Sequence, residues 1–257
     1  MLRIILLIWR LKVFSNLRFS GCLCGKNSSN DKWNEIAEKL QILYDSKYDY
    51  HPQFEGFDIG TEIKQADTVL IGYPLLFPMN RSTRLNDLKI YGSATRRSGP
   101  AMTSSMMAIN YLDVENDVEA NVMLRQSYKP FVRQPFNVWN EVVEGEIGAT
   151  NFMTGAGGFL QTIFNGFLGI RVHLDRLQIE NSKLPENCTS IKVGGFSYLN
   201  SKFELNLETQ EKFLNFIELN DKLWLKIDDE MKMINENEIC ELIFCWIIKH
   251  FFIVFLH

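Results

Sequence analysis

The spacing of apolar residues changes partway along the chain. From Asn30 to about Leu168 they recur mainly every three or four positions, and after Gly169 they alternate with polar ones. The first interval turns one side of a helix to a core and the second does so for a strand. Asn30 or Asp31 is placed to cap a helix whose buried side is Trp33, Ile36, Ala37, Leu40 and Leu43. That helix ends before Tyr50-His51-Pro52, because a residue preceding proline is held out of the α region. Glu62 to Leu70 restarts a helical pattern, stopped by Gly72 and Pro74, and Leu85 to Tyr91 is a shorter candidate. Pro100 suits the first position of a helix with Met102, Met106, Ile109 and Tyr111 on its inner side, and Asp117 to Tyr128 is amphipathic. Phe131 to Glu146 reads as extended loop. Thr154 to Leu168 is apolar nearly all round, through Phe159, Leu160, Ile163, Phe164 and Phe167, which predicts a glycine-punctuated helix buried on every side.

Beyond Gly169, Arg171 to Ile179, Ser190 to Gly195 and Ser197 to Leu207 read as strands. Turns are expected at Gly194-Gly195 and at Leu199-Asn200-Ser201. Helices followed by strands imply a helical layer and a small antiparallel sheet. Leu223 to Ile234 is charged and gives no clear pattern. Four segments result: an atypical start over 1–29, a helical domain over 30–169, a sheet domain over 170–210 and an atypical end over 211–257.

Composition narrows the classes of function. Of 257 residues, 46% are hydrophobic and 12% aromatic, which suits a folded chain rather than a disordered one. The net charge of −4 and the lack of a basic stripe argue against nucleic acid as a partner. Cys22, Cys24, Cys188, Cys240 and Cys245 form no zinc spacing with the scattered histidines. Their odd number suits a reducing, cytoplasmic setting. In Met1 to Cys24 the apolar run is short for a signal peptide and is interrupted by Arg10 and Lys12. Ile239 to His257, broken by Lys249 and His250, falls short of the ~20 residues needed to span a bilayer. A buried helix or a tail anchor is open for this end. The favoured reading of both ends is sequence foreign to the domain between them, as a faulty gene model would give.

Three blocks carry candidate chemistry. The first is His51-Pro-Gln-Phe-Glu-Gly, followed by Ile63-Lys-Gln-Ala-Asp-Thr-Val-Leu-Ile-Gly-Tyr-Pro. The second is Gly99-Pro-Ala-Met-Thr-Ser-Ser-Met. The third is Phe136-Asn-Val-Trp-Asn-Glu, then Gly148-Ala-Thr-Asn-Phe-Met-Thr-Gly-Ala-Gly-Gly-Phe-Leu-Gln. In this order they resemble glycoside hydrolase family 65, in its acid-trehalase-like branch, from about Asp31 to Leu207.

The resemblance implies part of an (α/α)6 barrel followed by a small antiparallel β-sandwich, a mainly α chain. It implies an inverting α-glucosidase that needs no metal or organic cofactor. The substrate expected from the branch is an oligosaccharide or glycosylated hydroxylysine, with glucose released from the glucosyl-galactosyl-hydroxylysine units of collagen. Alternatives are a trehalose, kojibiose or maltose hydrolase, a phosphorylase of the same family, or a catalytically silent sugar-binding remnant. Oligomeric state is left open.

Inversion requires two carboxyl groups roughly 6.5–9.5 Å apart, one protonating the leaving oxygen and one activating water. The family's base matches Glu141, and its glucose-binding Lys-Gln pair matches Lys64 and Gln65. Without the resemblance, Glu141 would pass for a solvated loop carboxylate and Lys64-Gln65 for a helix surface. Phe136 and Trp139 are expected as apolar walls for a sugar, and the backbone N–H groups of Thr154 to Gly158 as donors to the nucleophile. His51 reads as structural, and the methionines as core packing. Asp67, Thr103 and Asn151 receive no role. The family's general acid lies in a Gly-Pro-Asp-Glu segment upstream of the His-Pro block. This chain has none, since its one Gly-Pro continues Ala-Met. The chain is therefore expected to be truncated and to lack the acid.

Overall fold

The computed structural model describes Lys39 and residues 41–173, 176–209, 212–219, 223–227, 230–235, 239–241 and 245–248. The chain divides into two compact units, Met1–Thr162 and Ile163–His257. The expected helix over Asn30 to Leu43 lies largely outside the described residues, and Gln41 to Leu43 are not helical. Met1 to Cys24 and residues 249–257 also lie outside them.

The first unit holds four helices with defined bounds, α1 (Arg81–Ala94), α2 (Thr103–Asp113), α3 (Asp117–Tyr128) and α4 (Met153–Gln161). Helix α1 is longer than the sequence pattern suggests. Its inner stripe of Thr83, Asp87, Leu88, Tyr91 and Ala94 includes polar groups that apolar periodicity does not count. Helix α2 packs against α1, α3 and α4 and buries Met107 through Leu112 in succession, so it is the innermost of these four helices. Helix α3 has the bounds read from sequence. The Asn116 side chain caps it by accepting from the Glu119 amide, and Ala120 and Leu124 face inward.

Two helical expectations are corrected. Glu62 to Leu70 is not an α-helix: Ile63 forms a β-bridge with Thr95, and only Thr68–Ile71 makes a short 3-10 turn. Helix α4 ends at Gln161, passes into a π-helical stretch at Thr162–Phe167, and is not buried all round. Its contact side is made of glycine. A Cβ on Gly158 would stand 3.0 Å from Ser105, and one on Gly155 would stand 2.6 Å from the Trp139 indole nitrogen. Met153 and Leu160 remain 78% and 56% exposed on the other sides. Apolar periodicity missed this because the residues making the closest approach have no side chain. Between α3 and α4, β1 (Val132–Arg133) and β2 (Val138–Trp139) form a short antiparallel hairpin within the expected loop.

The second unit is two antiparallel sheets around one core. The five-stranded sheet has the order β3 (Ile170–Val172), β4 (Arg176–Ile179), β11 (Cys245–Ile248), β8 (Trp224–Ile227), β9 (Glu230–Met233). The four-stranded sheet runs β10 (Ile239–Glu241), β7 (Lys212–Glu218), β6 (Ser201–Glu208), β5 (Ser190–Tyr198). Leu177, Ile179, Leu225 and Ile247 from one sheet share a core with Phe203, Leu205, Leu207, Leu214 and Phe216 from the other. This is a sandwich. Leu199 and Asn200 turn the β5–β6 hairpin with φ of 48° and 58°, as a two-residue turn between twisted strands requires. Gly194-Gly195 is a β-bulge inside β5 rather than a turn.

The sheets continue past residue 210. Strand β11 lies between β4 and β8 with Ile247 fully buried, so residues 245–248 form part of the five-stranded sheet. Among the described residues eleven strands stand beside the four helices, a helical part followed by an antiparallel β part.

Candidate active site

Two of the sequence blocks meet on the third. The segment from Gly99 to Thr103, which leads into α2, touches the Lys64 region at one end and Glu141 in its middle. Gly99 lies against the Lys64 carbonyl so closely that a Cβ would come within 2.4 Å of it. The Thr103 hydroxyl accepts from the Ala66 amide at 3.1 Å. The Ala101 amide donates to the Glu141 carbonyl at 2.7 Å. Gly99 and Ala101 are two positions apart, at most about 7 Å of chain. The Lys64-Gln65 segment is pinned from its other side as well, with Ile63 donating to Ala94 and Arg96 donating to Ile63, both at 2.9 Å.

Glu141 sits where the chain leaves β2. Its amide donates to the Ala149 carbonyl at 2.9 Å, and the Ala149 amide returns a 3.1 Å bond to Oε2 of the carboxylate. An Asn140–Thr150 bridge closes the ladder. The side chain is half-buried. Ala149 thus fixes one oxygen, and the other keeps lone pairs with which to accept a proton.

Lys64 is exposed, and Gln65 is half-buried with Nε2 donating to Asp67 Oδ1 at 2.9 Å. Asp67 is 5% exposed and also lies 3.5 Å from the Gln53 amide nitrogen. Burial pushes its carboxyl above the usual range, and the Gln65 hydrogen bond draws it partly back. The sequence reading gave Asp67 no role and did not single out Gln53. The available signal was position: Gln53 belongs to the His-Pro block, and Asp67 follows Gln65 by two residues.

The other candidates separate clearly. His51 pairs through Nδ1 with Asp87 Oδ2 at 2.7 Å, donates its amide to Oδ1 at 2.8 Å, and accepts from the Tyr91 hydroxyl at 2.6 Å. Both members of the pair are buried, which makes His51 a structural tie between its loop and α1. Trp139 is packed on Gly155 and Phe159, with ring centroids 5.5 Å apart in the second case, whereas Phe136 is 85% exposed. The two aromatics do not form matching walls. The Gly155 and Ala156 amides donate to the carbonyl of Phe152, the N-cap of α4, so these two of the expected donors from Thr154 to Gly158 are engaged at the helix start. Among the described residues no cluster of three or more His, Cys, Asp or Glu is placed to hold a metal.

No protein-family model matches the chain. Individual relatives do. A zebrafish (Danio rerio) protein-glucosylgalactosylhydroxylysine glucosidase is 39% identical over 179 residues, covering 70% of this chain and 27% of the relative. The Dictyostelium discoideum protein of the same name is 37% identical over 202 residues, covering 79% and 28%. A kojibiose hydrolase from Mucilaginibacter mallensis is 34% identical over 168 residues, covering 63% and 24%. The chain belongs to glycoside hydrolase family 65. This family 65 chain spans about a quarter of the length of the curated relatives it matches. Its fold is also that of a solved structure described as a kojibiose phosphorylase from the human microbiome, with a TM-score of 0.60 at 14% identity. The superposition covers 86% of this chain and 33% of that one.

Proposed function

We propose that these residues are the base-bearing part of an inverting α-glucosidase whose substrate is glucosyl-galactosyl-hydroxylysine. In this reading Lys64 and Gln65 hold the terminal glucose by its hydroxyls. The free oxygen of Glu141 takes a proton from the water that attacks the anomeric carbon from the face opposite the leaving group. The observation that carries it is the Gly99–Thr103 segment, which ties both the Lys64-Gln65 segment and Glu141 to one short stretch of backbone. The helices of the first unit form part of an (α/α)6 barrel in the same proposal. A negative carboxylate at 141 repels a phosphate nucleophile, which favours hydrolysis over phosphorolysis. The sequence has no Gly-Pro-Asp-Glu segment. Without a positioned acid the chain alone is expected to act about 10²–10⁴-fold more slowly than a polypeptide carrying both groups.

A disaccharide substrate is the second reading, favoured by the relative that hydrolyses kojibiose. A chimera separates the two, with the matched residues of this chain replacing their equivalents in the zebrafish relative. Glucose release is followed on glucosyl-galactosyl-hydroxylysine, kojibiose, trehalose and maltose, and the anomer formed is read by proton NMR. The proposal expects fastest release from the hydroxylysine glycoside, as β-glucose and without added phosphate. Faster release from kojibiose would transfer the assignment to the second reading, and α-glucose as first product would end both.

A further inference from the structure

An amide can present either its oxygen or its nitrogen, and a sugar hydroxyl that must donate is served by only one of them. Gln65 has its amide nitrogen 2.9 Å from Asp67 Oδ1. An ionised carboxylate only accepts, so it selects the orientation in which Nε2 faces Asp67 and Oε1 faces away. Asp67 is itself immobilised, being 5% exposed and placed where the Lys64-Gln65-Ala66 segment enters the Thr68–Ile71 turn. The Thr103 hydroxyl holds the Ala66 amide between them. On its far oxygen Asp67 meets Gln53, whose side chain is buried with no partner for Oε1 among the described residues. Two glutamine amides, one from the His-Pro stretch and one from the Lys-Gln stretch of the first block, thus converge on one carboxylate.

We infer that Asp67 is the positioning residue of the glucose site, locking Gln65 with its carbonyl oxygen toward the sugar and linking it to Gln53 of the His-Pro block. This rests on the reading of Gln65 as a glucose-binding residue. With Asp67 in place the amide is ordered before the sugar arrives. Without it the amide flips freely, and binding must order it. Immobilising one such side chain corresponds to about a three- to tenfold change in affinity.

The test is a double-mutant cycle on the full chain, with kojibiose as the probe and titration calorimetry as the readout. Asp67→Ala is expected to weaken binding about three- to tenfold, Asp67→Asn less, and Gln65→Ala at least as much as Asp67→Ala. In the Gln65→Ala background Asp67→Ala should cost nothing further, because Asp67 acts through Gln65. Equal losses in both backgrounds would make Asp67 merely structural and overturn the inference. Full affinity in Asp67→Ala with loss in Gln65→Ala would also overturn it, while leaving the glucose site standing. Full affinity in Gln65→Ala, or no binding by the wild type, would overturn the glucose site and this inference with it. The orientation itself is read without ligand by NMR. The Gln65 side-chain amide protons should exchange at least several-fold more slowly in the wild type than in Asp67→Asn, and equal rates contradict the lock.

Discussion

The amide of Ala101 donates a 2.7 Å hydrogen bond to the carbonyl oxygen of Glu141, two residues after Gly99 closes on the carbonyl of Lys64. The segment bearing the candidate base and the segment bearing the candidate sugar ligands are therefore positioned by the same few peptide groups. A shift of that segment moves both. Geometry of this kind matters because a displacement of about 1 Å can cost a catalytic site 10²-fold.

Gly99 is the point at which this coupling is most exposed to substitution. A Cβ there would meet the Lys64 oxygen at 2.4 Å and the Arg96 oxygen at 2.9 Å, and both are backbone atoms that cannot rotate away. Gly99→Ala is expected to destabilise the chain by about 1–3 kcal/mol, as overpacking does. It should weaken kojibiose binding as well. Thermal unfolding measures the first effect, and an unchanged melting temperature would show that the contact is not tight.

The His51–Asp87 pair predicts a larger effect. Both side chains are buried, at 5% and 3% exposure, and Asp87 accepts from both the ring and the backbone of His51. Burial raises the Asp87 carboxyl and the His51 contacts oppose that rise. Removing Asp87 leaves both the ring nitrogen and the amide of His51 without their partner, at about 1–3 kcal/mol for each buried group. Asp87→Ala should lower stability to urea by about that amount, and a loss well under 1 kcal/mol would mean that water reaches the site.

Asp67 gives stability a pH dependence of defined sign. Its carboxyl is raised above the ordinary value of 3.8 in the folded chain, chiefly by burial. From about that value upward the folded state binds more protons than the unfolded state, so stability falls as pH rises through the raised pKa. Asp67→Asn removes this titration while leaving Asp87 in place. The melting temperature of Asp67→Asn minus that of the wild type should therefore increase from pH 4 to pH 7. A difference that stays constant or shrinks would contradict the assigned direction.

The sequence was most informative where side chains themselves report burial. Helix α3 and the alternating strand β6 were legible because Ala120 and Leu124, or Phe203, Leu205 and Leu207, repeat at the period of their element. Helix α4 was misread because its buried side is Gly155 and Gly158, which hydropathy cannot distinguish from a gap. Strand β11 is not legible as a strand in the sequence, because its neighbours β4 and β8 on both sides are far from it along the chain. Glu141, Lys64 and Gln65 were singled out only through the resemblance to family 65. Their link through Gly99 and Ala101 depends on a close backbone approach at Gly99 and a backbone hydrogen bond at Ala101, and neither is legible in hydropathy. Asp67 was passed over for a similar reason, since an aspartate in a polar run reads as solvated until its burial is seen.

The central claim is that the Glu141 carboxylate activates the attacking water, and the most direct test is Glu141→Gln in the chimera with the zebrafish relative. Amide for carboxylate keeps the Ala149 hydrogen bond and the shape of the loop but removes the ability to take a proton. The account predicts that kcat for glucose release falls at least about 10²-fold with KM little changed. Glucose release at the wild-type rate by the Glu141→Gln chimera would contradict it.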